Sequence, residues 1–235
     1  PYLVHYGTEE QKQRWLPPMC TGDVITAIAM TEPGAGSDLQ GMKTTAIKDG
    51  DDYIINGSKV FITNGWLSDM VIVCAKTDPA KGAKGISLFV VDTTTPGFIK
   101  GKKLKKMGMK AQDTSELFFK DVHVGPEQLL GGDAQKNRGF ICLMEQLPWE
   151  RLQIAISAVA ASQAAIDWTV AYVKERMVFG QAVGSFQEAA GAACHVLSTV
   201  LTLPERQIRR ESPRRLQVRP LGRQKRSIRT KSSEL

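Results

Sequence analysis

Two stretches of this sequence hold residues whose types and spacing could do chemistry. The first is Met30-Thr31-Glu32-Pro33-Gly34-Ala35-Gly36-Ser37-Asp38. Thr31, Ser37 and free backbone N–H groups in such a turn can donate hydrogen bonds to an anion or a heterocycle. Gly34 and Gly36 allow positive φ and let another molecule approach the backbone closely. The spacing is that of neither a dinucleotide fingerprint nor a P-loop, and a plain Pro-Gly turn is the competing reading. The second stretch is Gln146-Leu147-Pro148-Trp149-Glu150-Arg151-Leu152. Glu150 sits beside a helix break at Pro148. A carboxylate there that faces an apolar cavity has its charged form disfavoured, so its pKa rises toward the range useful to a general base. On an amphipathic helix the same acid could instead be solvated and paired with Arg151 or Lys174.

The elements that must position these residues fall into two textures. From Val24 to about Pro126 the pattern is short strands and turns. Val24–Met30, Thr44–Lys48, Asp52–Asn56, Lys59–Thr63, Met70–Lys76, Ser87–Val91, Phe98–Leu104 and Ser115–Val124 read as strands. Asn56-Gly57 reads as a two-residue hairpin turn between two of them. Closely spaced strands without intervening helices predict an antiparallel barrel or sandwich. Ahead of them, residues 8–19 read as the end of a helix running into Pro17-Pro18. After Gly131-Gly132 the texture turns helical. Phe140–Leu147 is expected as one helix, interrupted by Pro148, and Trp149–Val178 as a second. Leu152, Ile156, Val159, Ile166, Val170 and Val173 form a stripe at helical spacing, expected as the core of a helix bundle.

Composition narrows the classes. Hydrophobic content of 42% and charged content of 23% are those of an ordinary globular protein. No uninterrupted apolar run reaches the roughly 18 residues of a membrane span, so no span is expected, and no secretory signal is visible. The chain opens at Pro1 inside a helix-like run, as a piece of something longer would. Cys20, Cys74, Cys142 and Cys194 form no CxxC pair, and His5, His123 and His195 are scattered, so no metal site is expected. Buried free thiols in a reducing compartment are the simplest account of Cys74 and Cys142. Residues 204–235 hold nine Arg and two Lys against three Glu, a net +8, so the formal +7 leaves −1 for everything else. That tail has no apolar period and reads as disordered. It has no aromatic residue on which bases could stack, so no nucleic-acid partner is expected.

Three segments in order resemble the acyl-CoA dehydrogenase family. They are Ala29 through Asp38, then Ile55-Asn56-Gly57-Ser58-Lys59-Val60-Phe61-Ile62-Thr63-Asn64-Gly65, then Arg176-Met177-Val178-Phe179-Gly180 with Gln187. The resemblance covers about residues 1–187 and implies an α+β architecture. Residues 1–23 would end an N-terminal helical domain and 24–130 would form the β-barrel middle domain. Residues 131–187 would begin a C-terminal helical domain. Residues 188–235, which resemble none of the family's helices, would be a disordered basic tail or one read out of frame.

The resemblance also implies roles. Ile28, Met30, Thr31, Gly36 and Ser37 would line FAD, with Thr31 bonding the isoalloxazine edge and Ser37 also reaching acyl-CoA. Phe61, Ile62 and Thr63 would cover the other flavin face. Arg176, Phe179 and Gln187 would contact the FAD of a neighbouring subunit, in a homo-oligomeric dimer or tetramer. Glu150 occupies the position of the catalytic base in the long-chain and isovaleryl branches, and Arg151 would bind near the thioester. The implied reaction is α,β-dehydrogenation: Glu150 removes the pro-R α-proton, hydride leaves for flavin N5, and an electron-transfer flavoprotein collects the electrons. The implied compartment is a bacterial cytoplasm or the mitochondrial matrix. A catalytically incompetent fragment, or an acyl-CoA oxidase or flavin monooxygenase on the same scaffold, are the other outcomes this pattern allows.

Overall fold

The computed structural model describes residues 1–186 and Gly191. The expectations for the basic tail, for Gln187 and for Cys194 and His195 lie outside them. Two compact units are present among the described residues, Pro1–Leu152 and a second that starts at Gln153.

In the first unit, helices α1 (Tyr2–Tyr6) and α2 (Glu9–Thr21) precede seven strands. These are β1 (Thr26–Ala29), β2 (Thr45–Asp49), β3 (Asp52–Thr63), β4 (Met70–Lys76), β5 (Ile86–Asp92), β6 (Phe98–Lys103) and β7 (Thr114–Val124). They form one sheet in the order β1-β4-β2-β3-β7-β6, with β5 paired to β4, curled as a half-barrel. The α+β class expected from the sequence is the one observed. Most pairings are antiparallel, but β1 and β2 both pair with β4 in parallel.

β4 and β5 explain their own composition. Val71, Val73, Ala75, Phe89 and Val91 point into the core on one face of the sheet. Met70, Ile72, Cys74, Leu88 and Val90 join Tyr2 and Leu3 of α1, with Cys142 and Leu143, in the core on the other face. A strand covered on both faces needs an unbroken apolar run, not an alternating one. Cys74 and Cys142 are buried free thiols, as expected.

Three turn or break signals are overruled. Asn56-Gly57 makes no hairpin: β3 runs straight through from Asp52 to Thr63. The reversal comes earlier, where Asp49 pairs with Asp52. Gly57 instead marks a register shift against β7. Its φ is 151°, and a Cβ there would stand 2.7 Å from the Thr44 Cα. Pro17 and Pro18 lie inside α2, which stops only at Gly22 in the left-handed region at φ 83°. They occupy its last turns, where the Pro18 carbonyl accepts from the Val24 N–H at 3.1 Å. Pro148 likewise fails to interrupt α3, which runs from Gly139 to Glu175. A proline strands the carbonyl four residues back. Here that residue is Met144, exposed like Pro148 itself, so water can take the carbonyl.

In the second unit α3 continues to Glu175 and is followed by a small hairpin of β8 (Met177–Val178) and β9 (Gln181–Ala182). The helix expected to reach Val178 therefore stops short. Phe179 and Gly180 turn the hairpin at φ 53° and 79°, the pair of positive angles a tight primed turn requires. The apolar stripe is not core here. Leu152, Ile156 and Val159 are exposed and Ile166, Val170 and Val173 only partly covered. By length and composition α3 is apolar enough to cross a membrane, with a mean hydropathy of 1.4 in its most apolar window. Ser157, Ser162 and Gln163 break the run into short pieces, which is why no long apolar run shows in the sequence.

Candidate functional site

The Thr31 turn is held by a buried ion pair. Glu32 and Ala35 exchange backbone hydrogen bonds of 2.9 and 3.1 Å, pinching Pro33-Gly34 into a tight loop. The Glu32 carboxylate turns inward and accepts from the Lys43 and Thr44 N–H groups at 2.6 and 3.0 Å. The Lys59 ammonium of β3 donates to Glu32 at 2.9 Å and to the Met30 carbonyl at 3.0 Å. Lys59 is wholly buried and Glu32 nearly so. Burial alone would raise the Glu32 pKa. The Lys59 charge and the backbone donors outweigh it and hold the carboxyl below its ordinary value.

β3 comes alongside this turn. The Val60 N–H donates to the Thr31 carbonyl at 2.9 Å, and Asn64 Nδ2 to the Thr26 carbonyl at 3.3 Å. The pairing of β3 with β7 shifts between Lys59 and Ile62, and Phe61 in that gap adopts φ 59° and is 66% exposed. Thr63 is exposed beside it, whereas the Ile62 side chain points into the core, so only its backbone can meet a ligand. Met30 and Thr31 are half-buried, and Gly36 and Ser37 exposed. Neither Gly34 nor Gly36 uses the positive φ open to it. A Cβ at either would meet nothing within 4 Å, so their contribution is open approach to the backbone. Among the described residues the N–H groups of Thr31, Gly34, Gly36 and Ser37 make no hydrogen bond. Unpartnered donors beside an exposed aromatic edge fit a flat, polar-edged heterocycle.

Glu150 lies at a second feature, which shares the strand β1 with the first. An apolar cavity of about 250 Å³ is lined by Tyr2, Leu16, Thr26, Ile28, Met70 and Glu150, among others. Ile28 belongs both to this lining and to the strand that feeds the Thr31 turn. Glu150 Oε1 accepts a hydrogen bond from the Tyr2 hydroxyl at 3.1 Å. Among the described residues it makes no ion pair with Arg151 or Lys174. Burial, then the Glu150 charge, push the Tyr2 hydroxyl far above its ordinary pKa, so it stays a donor.

Two groupings result: Thr31 adjoins the Phe61–Thr63 segment through the Val60 bond, and Ile28 lines one cavity with Glu150. Arg151 is exposed and does not line the cavity. Arg176 and Phe179, both exposed, belong to the hairpin of the second unit. Three contributors escaped the sequence reading: Lys59, Tyr2 and the inward carboxylate of Glu32. For Lys59 a signal existed, since it shares strand parity with the inward-facing Tyr53 and Ile55. No metal-ligating cluster occurs among the described residues.

Three family models match in order: "Acyl-CoA dehydrogenase, N-terminal domain" over residues 1–23, the middle domain over 27–122 and the C-terminal domain over 137–197. The mitochondrial long-chain specific acyl-CoA dehydrogenase of Sus scrofa is 56% identical over 189 residues, which are 80% of this chain and 43% of that protein. The crystal structure of an acyl-CoA dehydrogenase from Geobacillus kaustophilus superposes with a TM-score of 0.80 at 50% identity, covering 89% of this chain and 56% of that one. A Mycobacterium smegmatis glutaryl-CoA dehydrogenase in complex with FADH2 gives 0.74 at 34% identity, over 85% and 50%. The chain therefore spans about half the length of the relatives it matches.

Proposed function

This chain belongs to the acyl-CoA dehydrogenase family, and on that footing we propose that it supplies the flavin grip, acyl pocket and base of an enzyme that dehydrogenates acyl-CoA thioesters. FAD, when bound, accepts the hydride from the β-carbon. Thr31, Gly36 and Ser37 bind its ring edge through the unpartnered N–H groups. Exposed Phe61 and Thr63 cover a face of the ring, with the backbone of Ile62. The Lys59–Glu32 pair fixes the turn that presents these donors. The cavity beside Ile28 takes the acyl chain and keeps water from the reacting carbons.

Glu150 takes the α-proton. The observation that carries this role is its place in an apolar cavity whose floor, β1, leads directly into the Thr31 turn. A carboxyl group in such surroundings, held by one donor rather than paired with a cation, suits proton abstraction. The test is the absorbance of the chain reconstituted with FAD and titrated with acyl-CoAs of several lengths. Wild type should bleach the flavin band and Glu150→Gln should not; bleaching by both removes Glu150 from the role.

The same reading gives the outer elements their places. Ser37 and Arg151 approach the thioester end of the substrate. The exposed hairpin carrying Arg176 and Phe179, with Gln187 beyond it, reaches the FAD of a second copy in a dimer or tetramer. The exposed apolar stripe of α3 packs on further helices of the C-terminal domain, not on lipid. An electron-transfer flavoprotein would be the partner that collects the electrons. The mitochondrial matrix of a eukaryote and the cytoplasm of a bacterium both keep thiols such as Cys74 and Cys142 reduced.

A further inference from the structure

We propose that Tyr2 is a positioning residue for Glu150: its hydroxyl holds carboxylate oxygen Oε1, favours the ionised acid, and leaves Oε2 free to receive a proton. The inference rests on Glu150 as the base. It starts from an arrangement the sequence does not announce. Tyr2 and Tyr6 lie four residues apart on α1, and each donates to a carboxylate of α3. Tyr2 bonds Glu150 at 3.1 Å and Tyr6 bonds Glu145 at 2.7 Å. Gln146 Nε2 donates to the Tyr6 hydroxyl at 3.0 Å. Only the Tyr2 contact reaches the cavity. Tyr2 is 4% exposed, so its ring is fixed by the core and water does not compete freely for its hydroxyl.

The chemistry follows from the geometry. A carboxylate beside apolar side chains has its charged form disfavoured. One bond from a neutral donor offsets part of that cost without supplying a counter-charge, which would leave the acid too weak a base. It also fixes the carboxylate rotamer. The titratable groups around the contact are Tyr2 on the α1 side, Cys74 of β4 near Tyr2, Tyr6 one turn on, and Glu145 and Arg151 beside Glu150 on α3. Cys74 is held protonated by burial, its pKa raised to about 12. It therefore stays neutral and brings no charge to the contact.

The experiment is a carboxyl-¹³C NMR titration of the whole chain, without added FAD, with the Glu150 resonance identified by its loss in Glu150→Gln. Tyr2→Phe, which keeps the ring and deletes the hydroxyl, should raise the Glu150 midpoint by roughly one pH unit. Tyr6→Phe should move Glu145 and leave Glu150 in place. An unmoved Glu145 midpoint in Tyr2→Phe shows that the helix contact has survived. With FAD and acyl-CoA, the acid limb of the bleaching rate should move up in parallel in Tyr2→Phe, with little change in substrate affinity. An unchanged Glu150 midpoint in Tyr2→Phe, or an equal shift in both variants, overturns the proposal. Bleaching that persists in Glu150→Gln refutes the base assignment itself, a separate failure.

Discussion

Replacing Lys59 by methionine should show how far the candidate site depends on one buried charge. The substitution keeps the length of the side chain and removes the ammonium that serves both Glu32 and the Met30 carbonyl. Removing one partner of a buried pair costs about 3–5 kcal/mol because the other charge is stranded. Two backbone donors remain on Glu32, from Lys43 and Thr44, which argues for the lower end, about 3 kcal/mol. In a domain of this size that corresponds to a fall in melting temperature of roughly 6–12 °C. The double variant Glu32→Gln, Lys59→Met should lose less than Lys59→Met alone, since no charge is then left without its partner. The pH dependence should also invert. In the wild-type chain Glu32 titrates below its ordinary value of 4.5. Its contribution is therefore complete above that value and is lost as the pH falls toward its folded pKa. Without Lys59 burial is the leading influence and raises the folded pKa above the unfolded one, so stability falls as the pH climbs from about 4.5 toward that raised value. Urea denaturation between about pH 3 and 7, followed by circular dichroism, reads both effects. Equal midpoints for wild type and Lys59→Met, or a pH slope of unchanged sign, would refute the argument.

Two further outcomes are expected from the same coordinates, beside those for Glu150 and Tyr2. Gly57→Ala would drive a Cβ into Thr44 at a backbone angle side chains rarely adopt; it should destabilise the chain by about 2–4 kcal/mol, seen as a lower urea midpoint. In the native chain at pH 8, a thiol reagent should modify exposed Cys20 and spare Cys74, which burial keeps protonated; peptide mass mapping before and after unfolding checks this, and early modification of Cys74 contradicts its place in the core.

What the sequence disclosed and what it hid divide along a physical line. β4 was legible residue for residue because a strand buried on both faces carries its signal locally, as an unbroken run of apolar side chains. Asn56-Gly57 misled because turn chemistry is only a local preference. Here β3 is engaged by β2 on one side and β7 on the other, and those ladders outweigh the dipeptide, which is used for the close approach of Thr44 instead. Pro148 misled for a related reason: the helix loses one hydrogen bond at an exposed carbonyl and keeps its core contacts at Cys142, Leu143 and Gln146. The site divides in the same way. Thr31, Gly36, Phe61 and Thr63 could be named as candidates because they sit in contiguous motifs. Lys59 and Glu32 are 27 positions apart and Tyr2 and Glu150 are 148 apart, so nothing in either neighbourhood names the partner. The groups proposed to touch a ligand lie in short stretches that can be read, whereas those proposed to aim them come from wherever the fold returns the chain. A positioning shell is therefore the part of a site that coordinates are needed to reveal, and Tyr2 is the clearest case of it here.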